Sequence, residues 1–128
     1  MNMSKRITFV IAACAASALL ADSGTWTAAS GGNWNDAANW SGGIIASNSG
    51  STATLNSGSG TINNDMADPA LALLGLQFAG GGYTLAGGAI TLDAAGFIAV
   101  QGGTQTISAA LALQGSTAVN VASDQTLV

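Results

Sequence analysis

Large apolar residues recur two positions apart along the second half of the chain, with small or polar residues between them. The pairs are Ile90 with Leu92, Ile98 with Val100, Leu111 with Leu113, and Val119 with Val121. Alternate side chains of a β-strand point to opposite faces, so this period of two predicts strands with one apolar face. Glycine-rich or polar breaks separate the pairs, and the predicted strands are therefore only about four residues long.

The first half of the chain contains fewer candidate strands, and these are also short. Ala53–Leu55 and Thr61–Asn63 lie in a stretch rich in Ser, Gly and Asn. The longest apolar run, residues 70–78, is long enough for a helix. Gly75 and a following run of three glycines favour a strand over Leu73 to Phe78 instead, because glycine weakens helices and marks turns.

Three segments predict turns from their content of Asn, Asp and Gly. Asp36–Trp40 is short enough for a single helical turn. Asn63–Asp65 is expected to form a turn, and Asp93–Gly96 a corner between two strands. Glycine suits such corners because it adopts positive φ at little steric cost.

The shortness of the strands decides the fold class, because a strand this short cannot bury a useful apolar face alone. A coil stacked on a coil solves the problem, since each strand then pairs in parallel with a strand of the next coil. Two or three strands with their corners need about 20 residues per coil. We therefore predict an all-β fold, a parallel β-helix or β-solenoid with short strands and Gly, Asn and Asp turns. A small β-sandwich would need longer strands and larger core residues.

The first 21 residues have the features of a secretory signal peptide. Lys5 and Arg6 are the only basic residues of the chain, and an almost wholly apolar segment, residues 7–20, follows them. A basic start before an apolar core of about 7–15 residues is the pattern of an export signal, and a membrane span needs about 20. We therefore predict that residues 1–21 direct export through the inner membrane and are then removed.

Three processing sites are compatible with this leader. Cleavage after Ala21 releases a polar start at Asp22, and we favour it, although cleavage after Ala18 fits the usual small-residue pattern better. The segment that ends at Cys14 has the form of a lipobox, in which this Cys would be lipidated. Only seven residues separate Arg6 from Cys14, and the apolar run continues beyond it, so we prefer ordinary cleavage to lipidation.

These features divide the chain into three parts. Residues 1–21 are the signal peptide, residues 22–72 are an N-terminal cap rich in Trp, Gly and Asn with the first coils, and residues 73–128 are the solenoid repeats. The pattern stops at Leu127–Val128 in the middle of a strand. The chain is therefore a fragment of a longer protein, the product of a truncated reading frame, or a small independent product, and the sequence leaves these three alternatives open.

Charge is scarce, and its distribution changes once the leader is removed. Charged residues make up 6% of the chain, against about 25% in ordinary soluble domains. After residue 21 there is no Lys, Arg, His, Cys or Glu, and six Asp carry all the charge. Nucleic acid binding needs cations, a Ser-His-Asp triad needs His, and zinc sites need His or Cys. We therefore expect no nucleic-acid partner, no cofactor, no enzyme of these classes and no membrane span in the mature chain.

Paired carboxylates are the remaining route to catalysis, since two of them can cleave a glycosidic bond. Asp65 and Asp68 are the closest pair. Asp beside Asn or Pro is more typical of a turn, and Asp68 precedes Pro69. The sequence also lacks a D-x-D-x-D-G calcium loop and a G-G-x-G-x-D repeat. We predict no catalytic residue and no metal site, and we keep an Asp-dependent hydrolase as the third alternative.

All three Trp lie in one segment near the start of the predicted mature chain. Trp26, Trp34 and Trp40 are separated by eight and six positions, among Gly, Asn, Ser and Ala. Aromatic faces on a secreted β scaffold can stack on sugar rings, which makes these three residues a candidate glycan-binding platform. The open end of a solenoid, however, exposes an apolar core and free strand edges that need a cover. We favour this second interpretation, in which the three Trp form an N-terminal cap.

The Trp-containing segment, GTWTAASGGNWNDAANWSGG at residues 24–43, resembles the start of the passenger region in bacterial autotransporter-like proteins. The shared pattern is W-x-x-x-x-G-G-x-W-x-x-x-x-N-W. It is matched here by Trp26, Gly31, Gly32, Trp34, Asn39 and Trp40.

The later segment, from Leu74 to Val128, is similar to the autotransporter-associated β-strand repeats of the same group. The strings YTLAGG at residues 83–88 and SDQTLV at residues 123–128 carry the likeness. Together the two regions cover most of the predicted mature chain.

This resemblance implies a right-handed parallel β-helix that is exported to the cell surface or released. Such passengers act as adhesins or structural surface proteins, so the implied partners are surface glycans or other cell-surface proteins. Family members are typically far longer and end in a translocating barrel or a sorting tail. The given chain departs from the family in both respects. We therefore predict an exported, non-catalytic structural or adhesive module, with a carbohydrate-binding module that uses the three Trp as the alternative.

Overall fold

The computed structural model describes residues 21–56, 58–67 and 70–128. Within these ranges the chain forms eleven β-strands and two single turns of 3-10 helix, Ala37–Asn39 and Ser41–Gly43. The strands are β1 (Gly24–Trp26), β2 (Gly32–Asn33), β3 (Thr52–Leu55), β4 (Ser59–Asn64), β5 (Ala72–Phe78), β6 (Gly82–Gly87), β7 (Ile90–Val100), β8 (Thr104–Ile107), β9 (Leu111–Leu113), β10 (Ala118–Val121) and β11 (Thr126–Leu127).

Two of the sequence-based hypotheses concern residues outside the described ranges. The predicted signal peptide, including Cys14 and Ala18, is one of them. The pairing of Asp65 with Asp68 is the other, because Asp68 is not among the described residues. Both stay predictions.

The strands form two sheets, and every pairing between two strands is parallel. One sheet has the order β1-β3-β5-β7-β10, with β9 also paired to β7, and the other has the order β11-β8-β6-β4-β2. The chain passes from one sheet to the other and back, so neighbours within a sheet belong to successive coils. The predicted all-β parallel solenoid is confirmed.

The coil length follows from the register of the first sheet. Ala53 lies opposite Leu76, Leu76 opposite Ile98, and Ile98 opposite Val119. Successive coils therefore advance by 23, 22 and 21 residues, close to the predicted coil of about 20. Short strands suffice in such a fold because each coil is supported by the coil below it.

Apolar side chains form columns through the interior of the solenoid. Trp26 of β1 lies over Leu55, and Leu55 over Phe78 and Val100 in the next two coils. All four are buried, and full burial of an aliphatic or aromatic side chain contributes roughly 1.5–3 kcal/mol. Intervening residues such as Thr54 are only partly buried, which confirms the predicted alternation.

One corner of the solenoid requires glycine in three successive coils. Gly81 and Gly103 have positive φ values of 76° and 69°, which glycine alone adopts freely. A Cβ atom on Gly103 would collide with the carbonyl oxygen of Gly81, and a Cβ atom on Gly81 with the carbonyl oxygen of Gly58. The backbones of neighbouring coils therefore approach each other too closely here for any side chain.

The segment from Ile90 to Val100 differs from its prediction, because the structure has one continuous strand instead of two strands and a corner. A bend is nevertheless present within β7. Pairing with β5 shifts between Leu73, which lies opposite Leu92, and Gly75, which lies opposite Phe97. Three additional residues of β7 are accommodated at this shift, and the positive φ is adopted by Ala95, at 61°.

The turn predicted at Asn63–Asp65 is also wrong in part. Asn63 and Asn64 are the last two residues of β4, opposite Ala86 and Gly87. Asn64 is buried, and its amide donates hydrogen bonds to main-chain atoms of the next coil, which compensate for its burial. By contrast, the helical turn predicted between Asp36 and Trp40 is confirmed by the 3-10 turn Ala37–Asn39.

Candidate functional site

The three Trp side chains form one buried cluster at the N-terminal end of the solenoid. Trp26 ends β1, Trp34 directly follows β2, and Trp40 lies between the two 3-10 turns. Their exposed fractions are 0%, 0% and 3%. The rings of Trp26 and Trp40 meet edge to face with centroids 5.3 Å apart, and those of Trp34 and Trp40 with centroids 4.9 Å apart. Such edge-to-face contacts are favourable beyond the area that they bury.

Hydrogen bonds from two of the indoles hold the cluster together. Trp34 Nε1 donates to the carbonyl oxygen of Ala46 at 2.8 Å, and Trp40 Nε1 donates to that of Trp34 at 2.8 Å. Trp26 Nε1 is also buried but has no acceptor among the described residues. The cluster is thus tied to the main chain of residues 34–46 through two of its three polar atoms.

Main chain from the same segment covers the first coil. Thr27 N donates to the carbonyl oxygen of Asn39 at 2.9 Å, on the edge of β1 that β3 does not occupy. The backbone of Ile44–Ala46 runs over Gly24, where a Cβ atom would lie 2.7 Å from the nitrogen of Ala46. The predicted N-terminal cap is confirmed. The faces of the three indoles are turned inward in this structure, so a sugar ring would have to open the cap to stack on them.

Three of the five described Asp side chains accept hydrogen bonds from backbone nitrogens. Asn35 N donates to Asp65 Oδ1 at 2.8 Å, and Gly50 N donates to Asp93 Oδ2 at 2.7 Å. Asp36 caps the first 3-10 turn by accepting from Ala38 N at 3.0 Å. No three ligating side chains of His, Cys, Asp or Glu lie together in residues 21–56, 58–67 and 70–128. Asp65 therefore joins its own segment to that of Asn35, which lies 30 residues earlier in the sequence.

The sequence analysis does not predict that two amide side chains point into the interior. Gln105 Oε1 accepts from Tyr83 N at 2.8 Å, and its Nε2 donates to the carbonyl oxygens of Gly81 and Gly102 at 2.8 Å each. Asn64 Nδ2 similarly donates to the carbonyl oxygens of the next coil. Strand alternation predicts the inward orientation of Gln105, because this residue lies at the centre of a Thr-Gln-Thr triplet whose outer residues are more exposed.

Tyr83 is the one buried side chain in the described core with a titratable hydroxyl. Its Oη donates to the carbonyl oxygen of Ala28 at 3.5 Å, a long hydrogen bond. Burial raises the pKa of the Tyr83 hydroxyl above its ordinary value of 10.0. The phenol is therefore neutral at physiological pH, and it fills the interior beside the glycine corner at Gly58.

The opposite end of the solenoid is formed by β9, β10 and β11 with Val128, and we refer to these elements as the final rung. Its apolar side chains are much more exposed than those of the other coils. The exposed fractions are 38% for Leu111, 55% for Leu113, 53% for Val119, 42% for Val121 and 69% for Val128. No described residue pairs with the outer edge of these strands. Among the described residues, therefore, the first coil is covered by the Trp cluster and the final rung is not covered.

Comparison with known proteins found no similar family model, no similar curated protein and no similar solved structure. The likeness to autotransporter passengers therefore depends on the sequence pattern alone. In the described part of the chain, no helix has the length and apolar character that crossing a bilayer requires. What the structure contributes to function is the parallel solenoid and the buried Trp cluster that covers its first coil.

Proposed function

We propose that this chain is an exported, non-catalytic structural or adhesive module of autotransporter type, positioned at the cell surface or secreted. The observation that supports the proposal is the hydrogen bonding of the buried polar side chains. Gln105 and Asn64 direct their amides to main-chain atoms of neighbouring coils. The buried polar side chains are thus engaged in joining the coils, as in a structural scaffold.

The charge distribution supports the same proposal. The described residues carry no Lys, Arg, His, Cys or Glu, so their outer surface offers hydroxyls, amides, methyl groups and a few carboxylates. Such a surface suits an extended scaffold outside the cell, where it stays soluble through its negative charge. Partners of this surface are expected to be uncharged glycans or other cell-surface proteins.

Export is tested by the N-terminus of the product that a bacterial host accumulates. We expect mass spectrometry of the exported chain to show a start at Asp22, after removal of residues 1–21. The double variant Lys5→Glu, Arg6→Glu is the matched control, because it reverses the charge of the leader and leaves the solenoid unchanged. It should retain the uncleaved precursor inside the cell. An uncleaved wild-type chain in the cytoplasm would contradict the proposal.

The adhesive and carbohydrate-binding alternatives differ in the role of the Trp cap. In the structural account, Trp emission is blue-shifted, resists quenching by iodide and does not move when polysaccharides are added. A carbohydrate-binding module would instead show saturable affinity for a glycan that Trp34→Ala abolishes while near-UV circular dichroism stays native. An Asp-dependent hydrolase would show turnover that Asp65→Asn or Asp68→Asn removes.

A further inference from the structure

We propose that the outer face of the sheet β11-β8-β6-β4-β2 binds ice, through a column of threonine side chains whose spacing matches that of water molecules in an ice lattice. We refer to Thr61, Thr84 and Thr106 as the threonine column. The inference goes beyond the proposed function, and it depends on the geometry and chemistry of this face and not on export or adhesion.

The register of the sheet places the three threonines directly over one another. Thr61 of β4 lies opposite Thr84 of β6, and Thr84 lies opposite Thr106 of β8. Both β4 and β6 have a parallel neighbour on each side, so backbone ladders fix the positions of the column. Thr61 is exposed and the other two threonines are half-buried, which leaves the column open to solvent.

The spacing of this column is close to a repeat distance of ice. Oxygen atoms joined by a hydrogen bond lie about 2.8 Å apart, so two neighbours of one tetrahedral water molecule are about 4.6 Å apart. Adjacent strands of a sheet are about 4.7–4.9 Å apart, and stacked hydroxyl groups repeat at that distance. Each hydroxyl of the threonine column can therefore take the place of one water oxygen in a row of the lattice.

The chemistry of the face also suits an uncharged lattice of water. The five strands of this sheet contain no charged residue. A charged group such as an ammonium holds a strong hydration shell of its own, which would compete with the order of the crystal. Threonine presents a methyl group beside each hydroxyl, and apolar groups restrict the orientation of the water next to them. The column therefore combines groups that bond to water with groups that order it.

The outer face of the other sheet provides an internal contrast. Its corresponding column holds Thr25, Thr54, Gln77 and Ala99 in successive coils, at the same strand spacing. Strand propensity alone therefore does not place threonine at every outward position of this solenoid.

The absence of aromatic side chains on the threonine face favours ice over a glycan as the occupant. Tyr83 is the one aromatic residue in the five strands of this sheet, and it is buried in the interior. The face consequently offers no ring on which a sugar could stack. Its regular hydroxyl and methyl groups are instead complementary to a repeating array of water.

Partition of the full chain between slowly growing ice and liquid water tests the proposal. We expect the wild-type chain to be enriched in the ice and to lower the freezing point of a seeded crystal below its melting point. Thr84→Lys should lose both effects, because it places a strongly hydrated charge at the centre of the column. Thr54→Lys is the matched control, since it adds the same charge at a half-buried threonine of the other sheet, and it should retain both effects.

Thr61→Lys changes an exposed position of the same column and should also lose both effects. Native Trp emission from the cap reports that each variant is folded. Exclusion of the wild-type chain from ice, an equal loss in Thr54→Lys, or undiminished ice binding in Thr84→Lys and Thr61→Lys would overturn the proposal. Retention on microcrystalline cellulose by a chain that ice excludes would also overturn it, and would assign the face to a polysaccharide.

Discussion

Single residues show that the buried polar side chains of this solenoid bond to the main chain. Trp34, Trp40, Asn64 and Gln105 each direct a polar atom to the backbone of another segment. A hydrogen bond of this kind contributes about 1 kcal/mol net, but its loss leaves a buried partner unsatisfied at a cost of about 1–3 kcal/mol. The position of each of these polar side chains therefore matters more for stability than the number of such bonds.

Two of the three indoles allow the cost of an unsatisfied hydrogen-bond acceptor to be measured, because the same substitution removes the same ring volume at both. Trp34→Phe removes the donor to the Ala46 carbonyl oxygen, whereas Trp26→Phe removes an N–H that has no described acceptor. Both variants lose the same ring volume in a buried site. We expect Trp34→Phe to lower the free energy of unfolding by about 1–3 kcal/mol more than Trp26→Phe does. Urea denaturation measures both, and an equal or larger loss for Trp26→Phe would contradict the assigned hydrogen bonds.

Tyr83 gives the fold a dependence on alkaline pH. Burial raises the pKa of its hydroxyl above 10.0, so the unfolded chain ionises before the folded chain as the pH rises. The unfolded state then binds fewer protons, and stability, complete below about pH 9, falls as the pH increases through and beyond 10. Denaturation midpoints measured across this range should show the decline. Tyr83→Phe, which removes the only Tyr of the chain, should abolish it, and a decline of equal size in the variant would refute the assignment.

The candidate site could be predicted from the sequence only in part. Three Trp between glycines, next to a chain that predicts a solenoid, were sufficient to favour a cap over a glycan platform. The inward position of Gln105 was not identified, because polar residues were assumed to face solvent along each strand. The rule of alternation would have placed it inside, but only its bonds to Gly81 and Gly102 show why an amide is tolerated there.

At the scale of the elements, this fold depends on close backbone packing at the corners as much as on pairing between strands. Gly58, Gly81 and Gly103 occupy one corner in three successive coils, with their backbones almost in contact. The period of two located most strands to within a residue or two. It did not predict that β7 continues through the bend at Asp93–Gly96, because the shift of pairing at Leu73 and Gly75 is set by the neighbouring coil and not by local sequence.

Two glycines with similar φ separate backbone strain from crowding. Gly42, at 64°, has nothing within 4 Å of a Cβ atom, whereas Gly81, at 76°, faces the backbone of Gly58. We expect Gly42→Ala to cost about 1 kcal/mol from its positive φ alone. Gly81→Ala should cost about 3 kcal/mol or more, because the corner must also move apart. Thermal and urea unfolding of both variants measure the difference, and equal losses would argue against close packing of the coils.

At the scale of the molecule, residues 21–56, 58–67 and 70–128 form a solenoid without ion pairs, since these residues include no cationic side chain. Its cohesion comes from parallel backbone ladders and from apolar columns that run through successive coils. At the N-terminal end of these columns the Trp side chains cover the first coil.

The most direct test of the account is the pattern of contacts between strands in solution. Nuclear Overhauser spectroscopy on the labelled chain should connect Ile62 with Leu85 and Leu85 with Ile107, pairs separated by 23 and 22 residues. It should also show that the offset stays at 23 residues along the whole β4–β6 pair, as parallel pairing requires. Contacts in which one residue number rises as the other falls would reveal an antiparallel meander, and would contradict the parallel solenoid.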